Sequence, residues 1–446
     1  MTASFAKIGL REKIGYGMGD AAFNFVWMTF IYFGTYFYTD VFGISALTVG
    51  SLFLLTRLWD TVNDPIMGML ADRTETRWGK FRPYLLFGAV PLGIVATLCF
   101  TTPDISDENK VVYAYVTYFL VGMVYTALNI PYSSMLGVMT SNRDERNGLS
   151  SARLVGAYCA GLVVQFATLD LVGWFGEGDD KLGFQMTMAL YSVIFAVLLF
   201  LTFSWTKERV KPIKQERSPF LVDLRNLVTN VPFIVLFFVG IFTLSWVSIR
   251  GASIMYYFKY YLGAEDIAKW YMSGFTICNI IGAALTQWIC RGRDKKMIYI
   301  GLMMFNAITI GGVYFVSPDN MLLFSILHFS NGLMAGPITV IVFSMYADIV
   351  DYTEVKRGHR IDGLIFSGAS FSQKMGWTVG GAAGGFLLAF FNYEPNVAQP
   401  EDTIMGIRMM FTIIPGVLSV VAALSMMAYQ LSDKTMDDIQ NSLKSS

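Results

Sequence analysis

Apolar residues run along this chain in long blocks, near 15–39, 46–71, 84–102, 111–138, 150–172, 184–205, 231–261, 268–290, 297–316, 320–347, 363–391 and 405–430. A helix needs about 20 such residues to cross a hydrocarbon layer roughly 30 Å thick. The pattern predicts an all-α polytopic membrane protein with twelve transmembrane helices.

Only one interval between blocks is long. It covers 207–230, is rich in charge and carries Pro212 and Pro219. The expected organisation is a six-helix half over 1–206, a linker over 207–230, a second six-helix half over 231–432 and a tail over 433–446. The halves echo each other. Gly68-Met69-Leu70-Ala71-Asp72-Arg73, with Arg77, Lys80 and Arg82, follows the second block, and Arg291-Gly292-Arg293-Asp294-Lys295-Lys296 follows the eighth. Acidic and basic residues on tight turns at equal places point to two pseudo-symmetric parallel repeats. The first string resembles the signature loop of the major facilitator superfamily.

Charge sets the orientation. Of 33 Lys and Arg, 24 lie at the N-terminus, at 73–82, 143–146, 207–225, 291–296 and 356–360, and in the tail. The connections on the opposite side hold Lys110, Lys181, Lys259 and Lys269. The positive-inside rule therefore places both termini in the cytoplasm. Lys7, Arg11 and Lys13 precede the first block, but that block is too long for a signal-peptide core and reads as the first span.

Composition agrees: 15% of residues are charged, against about 25% in soluble domains. A formal net charge of zero argues against a nucleic-acid partner. Cys99, Cys159, Cys278 and Cys290 lie in or at the ends of apolar blocks with no CxxC pair, so they read as small packing residues. No nucleophile–base set, phosphate loop or metal-ligand spacing of His and Cys supports an enzyme, and no cofactor is expected.

The polar residues inside the blocks carry the functional signal. Asp60 lies near the centre of the second block, roughly 20 Å from one end and 16 Å from the other. Asp60, Asn63 and Asp64 are spaced i, i+3, i+4 and share one helical face. A carboxylate at mid-membrane costs about 2.5–3.5 kcal/mol on insertion scales. Clustered hard oxygens suit a small cation such as Na⁺, or a proton shared between carboxylates. The plainer alternative is a polar seam between helices. Asp20, Asn24 and Trp27 form a second stripe, on the first span, where a carboxylate and an amide can bind sugar hydroxyls and an indole can stack on a sugar ring. Thr126, Asn129 and Ser133 form a third on the fourth span, beside Tyr125 and Tyr132. Arg153 in the fifth block needs an anion, and Asp20 is the candidate. Arg57, one turn before Asp60, is placed to pair locally. Lys374 and Trp377 put a cation and an indole on the eleventh span. Asp348 and Asp351, closing the tenth, are expected either to pair with Arg143, Arg146 or the neighbours of Arg153 as a breakable inner gate, or to form surface ion pairs of little consequence.

Together, Tyr16-Gly-Met-Gly-Asp20, Trp59-Asp60-Thr-Val-Asn63-Asp64-Pro65, Arg77-Trp-Gly-Lys-Phe-Arg-Pro83, Asn129-Ile-Pro-Tyr132, Gly183-Phe-Gln185 and Ala347-Asp-Ile-Val-Asp-Tyr352 resemble the glycoside–pentoside–hexuronide:cation symporters over nearly the whole chain. The resemblance implies a major facilitator fold in a bacterial inner membrane. It implies a Na⁺ site at Asp60, Asn63, Asp64 and Thr126, sugar contacts at Asp20 and Arg153, and a role for Lys374. Asn129 departs from the aspartate of the melibiose-transporting members, and the Asn-Ile-Pro-Tyr form is similar to the glucuronide and xyloside branches. The expectation is a monomer that imports a glycoside or related sugar with Na⁺ by alternating access. Its partners would be the sugar and the lipid bilayer. Two other readings are a proton-coupled importer of an anionic sugar, such as a hexuronide or sulfonated hexose, and a sugar sensor without transport.

Overall fold

A computed structural model describes residues 7–140, 142–210, 227, 229–357, 362–431, 435, 436 and 439. Most of the expected linker and tail, and the side chain of Arg143, lie outside the described residues.

The chain is a succession of long helices. They are α1 (Leu10–Thr29), α2 (Ala46–Arg73), α3 (Arg82–Cys99), α4 (Asp107–Met139), α5 (Arg143–Gly176) and α6 (Asp180–Trp205). After the linker come α7 (Val231–Tyr256), α8 (Ala268–Cys290), α9 (Lys295–Val313), α10 (Met321–Arg357) and α11 (Asp362–Phe390), then α12 (Glu401–Phe411) and α13 (Ile413–Met427). Wider π-type turns extend α1 over Phe30–Gly34 and Phe37–Val41, and α7 over Tyr257–Tyr261. The last apolar block is thus one run broken at Thr412, which leaves helical geometry three residues before Pro415. Among the described residues, nine helical runs are long and apolar enough to cross a membrane by length and composition alone. Those falling short are α1, α2 and α11, which carry Asp20, the Asp60 cluster and Lys374.

Backbone contacts divide the chain into two compact units. One is Met1–Lys214 with Glu394–Val397, and the other is Gln215–Tyr393 with Ala398–Ser446. Within the first, α1 packs on α5 and α6, α2 on α4, and α3 on α4 and α6. Within the second, α7 packs on α11 and α13, α8 on α10, and α9 on α10 and α13. The same scheme recurs six helices later, with the broken α12–α13 run standing for the sixth helix. This is the packing that an internal repeat requires.

Small residues set the closest approaches. A Cβ on Gly17 would sit 2.5 Å from the Ala152 carbonyl oxygen, and one on Gly156 would collide with the Gly17 carbonyl. These two glycines let α1 and α5 touch backbone to backbone. In the second unit, a Cβ on Gly376 would meet Leu244 at 2.7 Å, and Gly380 is pressed in the same way on Ser248, so α7 and α11 approach equally closely. The start of α3 is fixed by Glu208, whose carboxylate accepts hydrogen bonds from the backbone N–H groups of Lys80 (2.7 Å), Phe81 (2.8 Å) and Arg82 (2.9 Å). The last two are N–H groups a helix terminus leaves unpaired, and the negative charge suits that end of the helix dipole.

Candidate substrate and cation site

Three of the elements carrying the expected residues, α1, α4 and α5, meet at Asp20. Its Oδ1 accepts from Arg153 Nη2 at 3.0 Å, the pairing that a lone cation and a lone anion in facing apolar helices require. The Arg153 guanidinium also lies 5.0 Å from the Tyr132 ring centre and 5.8 Å from that of Tyr16. Tyr132 donates its hydroxyl to the Tyr16 carbonyl at 2.6 Å, tying α4 to α1 one turn away from the carboxylate. Gly19 is required here, because a Cβ would run into the Tyr132 ring. The result is a carboxylate–guanidinium pair backed by two aromatic rings. Such a pair offers both an acceptor and donors to hydroxyl groups.

Two turns along α1, Trp27 stacks on Tyr125 of α4, with ring centres 5.7 Å apart and planes inclined by 30°. The Arg57 guanidinium of α2 lies 4.1 Å from the Trp27 ring centre. The same guanidinium approaches Asp60 Oδ2 at 3.3 Å. Trp27, Arg57, Asp60, Tyr118 and Tyr125 together line a cavity of about 30 Å³. Asp60 faces α4, since a Cβ on Gly122 would stand 3.4 Å from Asp60 Oδ1. Asn63 and Thr126 are both buried on these same two helices, and the Asn63 Nδ2 amide is buried with no hydrogen-bond partner. Asp64 is partly buried on α2.

Of the other expected sugar contacts, Asn24 donates its amide to the Asp20 backbone carbonyl at 2.8 Å, and Asn129 is half-buried on α4. Lys374 is exposed on α11 and Trp377 is half-buried, both in the second unit. Among the residues expected at the gate, Asp348 is bonded by Lys295 of its own unit. Asp351 is partly buried, and Arg146 donates to the Thr140 carbonyl at 2.9 Å. Among the described residues no three His, Cys, Asp or Glu side chains are grouped to hold a metal ion.

Sequence reading missed a further intramembrane cation. Arg250 of α7 donates to Asn331 Oδ1 at 2.6 Å and pairs with His328 Nδ1 at 2.9 Å, both on α10. The bonds continue through Asn306 on α9 to Ser419 on α13, while His328 Nε2 meets the Tyr271 carbonyl of α8 at 3.0 Å. The signal was present, since Arg250 interrupts the apolar run over 231–261.

Long apolar helices in two repeated sets of six, with ionic residues turned into the first set, define a membrane transporter of the major facilitator fold. A family model described as MFS/sugar transport protein matches residues 15–433. The chain is 36% identical over 440 residues to the putative glycoside/cation symporter YagG of Escherichia coli, covering 98% of this chain and 95% of that protein. It is 33% identical over 440 residues to the isoprimeverose transporter of Lactiplantibacillus pentosus, covering 96% and 91%. The crystal structure of the nucleoside transporter NupG superposes with a TM-score of 0.64 at 13% identity, covering 94% of this chain and 98% of that one, a likeness of fold. The chain belongs to the sugar-transporting branch of the major facilitators, the glycoside–pentoside–hexuronide:cation symporter family that its motifs resemble. It is a multi-pass protein of the bacterial inner membrane and a transporter rather than an enzyme.

Proposed function

We propose that this protein imports a glycoside or short oligosaccharide together with Na⁺ by alternating access, with both termini in the cytoplasm. The observation that carries the reading is the arrangement of Asp60. It is a carboxylate in the middle of a membrane helix, with Asn63 and Asp64 on the same face, and it lines one cavity with Trp27. Asp60, Asn63, Asp64 and Thr126 would supply the oxygens for Na⁺, whose preference is for hard ligands. Asp20 and Arg153 would orient sugar hydroxyls, with Asn24, Asn129 and Trp27 as further contacts in the first unit; Lys374 and Trp377 on α11 are proposed as sugar contacts of the second unit. Asp348, Asp351, Arg143 and Arg146 would serve as breakable charges at the cytoplasmic ends of the helices. Two of the relatives are named as a glycoside/cation symporter and an isoprimeverose transporter, which supports a glycoside, with a xyloside as the first to try.

The test is uptake into proteoliposomes, using a panel of xylosides, galactosides and glucuronides. An inward Na⁺ gradient at equal pH on the two sides should drive a xyloside above equilibrium. Accumulation driven by a proton gradient without Na⁺, and restricted to glucuronides, would replace this reading with the proton-coupled one. Sugar binding without accumulation under either gradient would make the protein a sensor.

A further inference from the structure

One guanidinium serves two parts of the site. Arg57 Nη1 lies 3.3 Å from Asp60 Oδ2, and the Arg57 guanidinium carbon lies 4.1 Å from the centre of the Trp27 ring. Asp60 is the central ligand of the proposed cation site, and Trp27 is the ring proposed to stack on the sugar. The three side chains share a cavity of about 30 Å³, room for about one water molecule. A guanidinium packed on an indole occupies the apolar area that a sugar ring would use. A guanidinium on a carboxylate occupies the charge that a cation would use.

We infer that Arg57 couples the two sites: Na⁺ arriving at Asp60 displaces the guanidinium from the carboxylate and thereby uncovers the Trp27 face for sugar. The inference rests on the proposed Na⁺–sugar symport. Its physical basis is competition. Na⁺ and Arg57 are alternative counter-charges for one carboxylate, and sugar and Arg57 are alternative occupants of one aromatic surface. Arg57 is anchored over Trp27 partly through its bond to Asp60, so neutralising Asp60 weakens the hold on the ring. Sugar that lifts Arg57 from Trp27 correspondingly leaves Asp60 more available to Na⁺. Reciprocity of that kind is what linkage demands. The ion pair is local, at i, i+3 on α2, so exchange needs a rotamer change of one side chain and no rearrangement of helices. Removing Arg57 should therefore strengthen Na⁺ binding rather than weaken it. Simple structural damage would not produce that sign.

The experiment uses the full-length protein in nanodiscs and Na⁺ alone as the probe, read by calorimetry and tryptophan fluorescence. In the wild type, Na⁺ should change the fluorescence, and the part contributed by Trp27 is the difference from Trp27→Phe. In Arg57→Gln, Na⁺ affinity should rise, on the order of fivefold for the loss of a partly buried ion pair, and the Trp27 part of the signal should vanish. Arg57→Lys keeps the charge but not the planar group, so it should retain near wild-type Na⁺ affinity with a reduced Trp27 signal. It also serves should the glutamine variant not fold. Unchanged or weaker Na⁺ affinity in Arg57→Gln, or a Na⁺ response in which Trp27 has no share, overturns the coupling role and leaves the symport reading standing. No Na⁺ binding to the wild type removes both.

Discussion

Arg153 Nη2 stands 3.0 Å from Asp20 Oδ1, joining α5 to α1 where Gly17 and Gly156 bring the two backbones into contact. The pair is partly shielded and backed by Tyr16 and Tyr132, so each charge depends on the other. Removing one partner leaves an uncompensated charge, the case in which an ion pair matters most. Asp20→Ala should lower sugar affinity by more than about tenfold, in the range for a lost charge-assisted contact, while Na⁺ still binds. Calorimetry with each ligand checks this, and unchanged sugar affinity would take Asp20 out of the site.

The contact that aligns this pair should be sensitive to single carbons. Gly156→Val would drive a branched side chain into the Gly17 carbonyl and separate α1 from α5. Overpacking of this kind costs about 1–3 kcal/mol. The expected outcome is a lowered melting temperature in detergent together with weakened sugar binding. A control such as Gly173→Ala, where a Cβ meets nothing within 4 Å, should change neither.

The cation ligands should be separable from the sugar contacts. Asp60→Cys and Asp64→Cys each remove a carboxylate from α2 without touching Asp20 or Arg153. Both should abolish Na⁺-stimulated uptake yet keep measurable sugar binding. Full Na⁺ stimulation in both variants would place the cation elsewhere.

In the second unit, Arg250 makes bonds that lead from α7 through α10 to α9 and α13. Arg250→Ala should destabilise that unit by several kcal/mol, as loss of a buried, hydrogen-bonded cation does. Thermal unfolding would report it, with Na⁺ affinity at the first unit's site unchanged in the protein that remains folded.

Much of this was legible in the sequence because a membrane simplifies the problem. The second apolar block, read as 46–71, is the helix Ala46–Arg73, since the turn chemistry of Ser45 and the charges after Ala71 punctuate it clearly. Asp20 and Arg153 could be paired from sequence because isolated charges in apolar spans have few candidate partners. Arg57 and Asp60 could be paired because i, i+3 geometry is local. Arg57 over Trp27 could not, since the surface a long side chain covers depends on how α1, α2 and α4 are packed. Asp348 faced many basic residues near the same membrane surface, and sequence gave no reason to prefer Lys295. The break at Thr412 was hidden because the residues on both sides are equally apolar.

Proton competition at the α2 cluster tests the central claim most directly. If Na⁺ is held by Asp60 and Asp64, protons contend for the same oxygens, and a bound cation relieves the repulsion between two neighbouring carboxylates. The measurement is Na⁺ titration of the wild type by calorimetry from acid to neutral pH in buffers of differing ionisation enthalpy. The account predicts that apparent Na⁺ affinity weakens as pH falls and that Na⁺ binding releases protons. Na⁺ affinity that stays flat across that range, with no proton release, would contradict it.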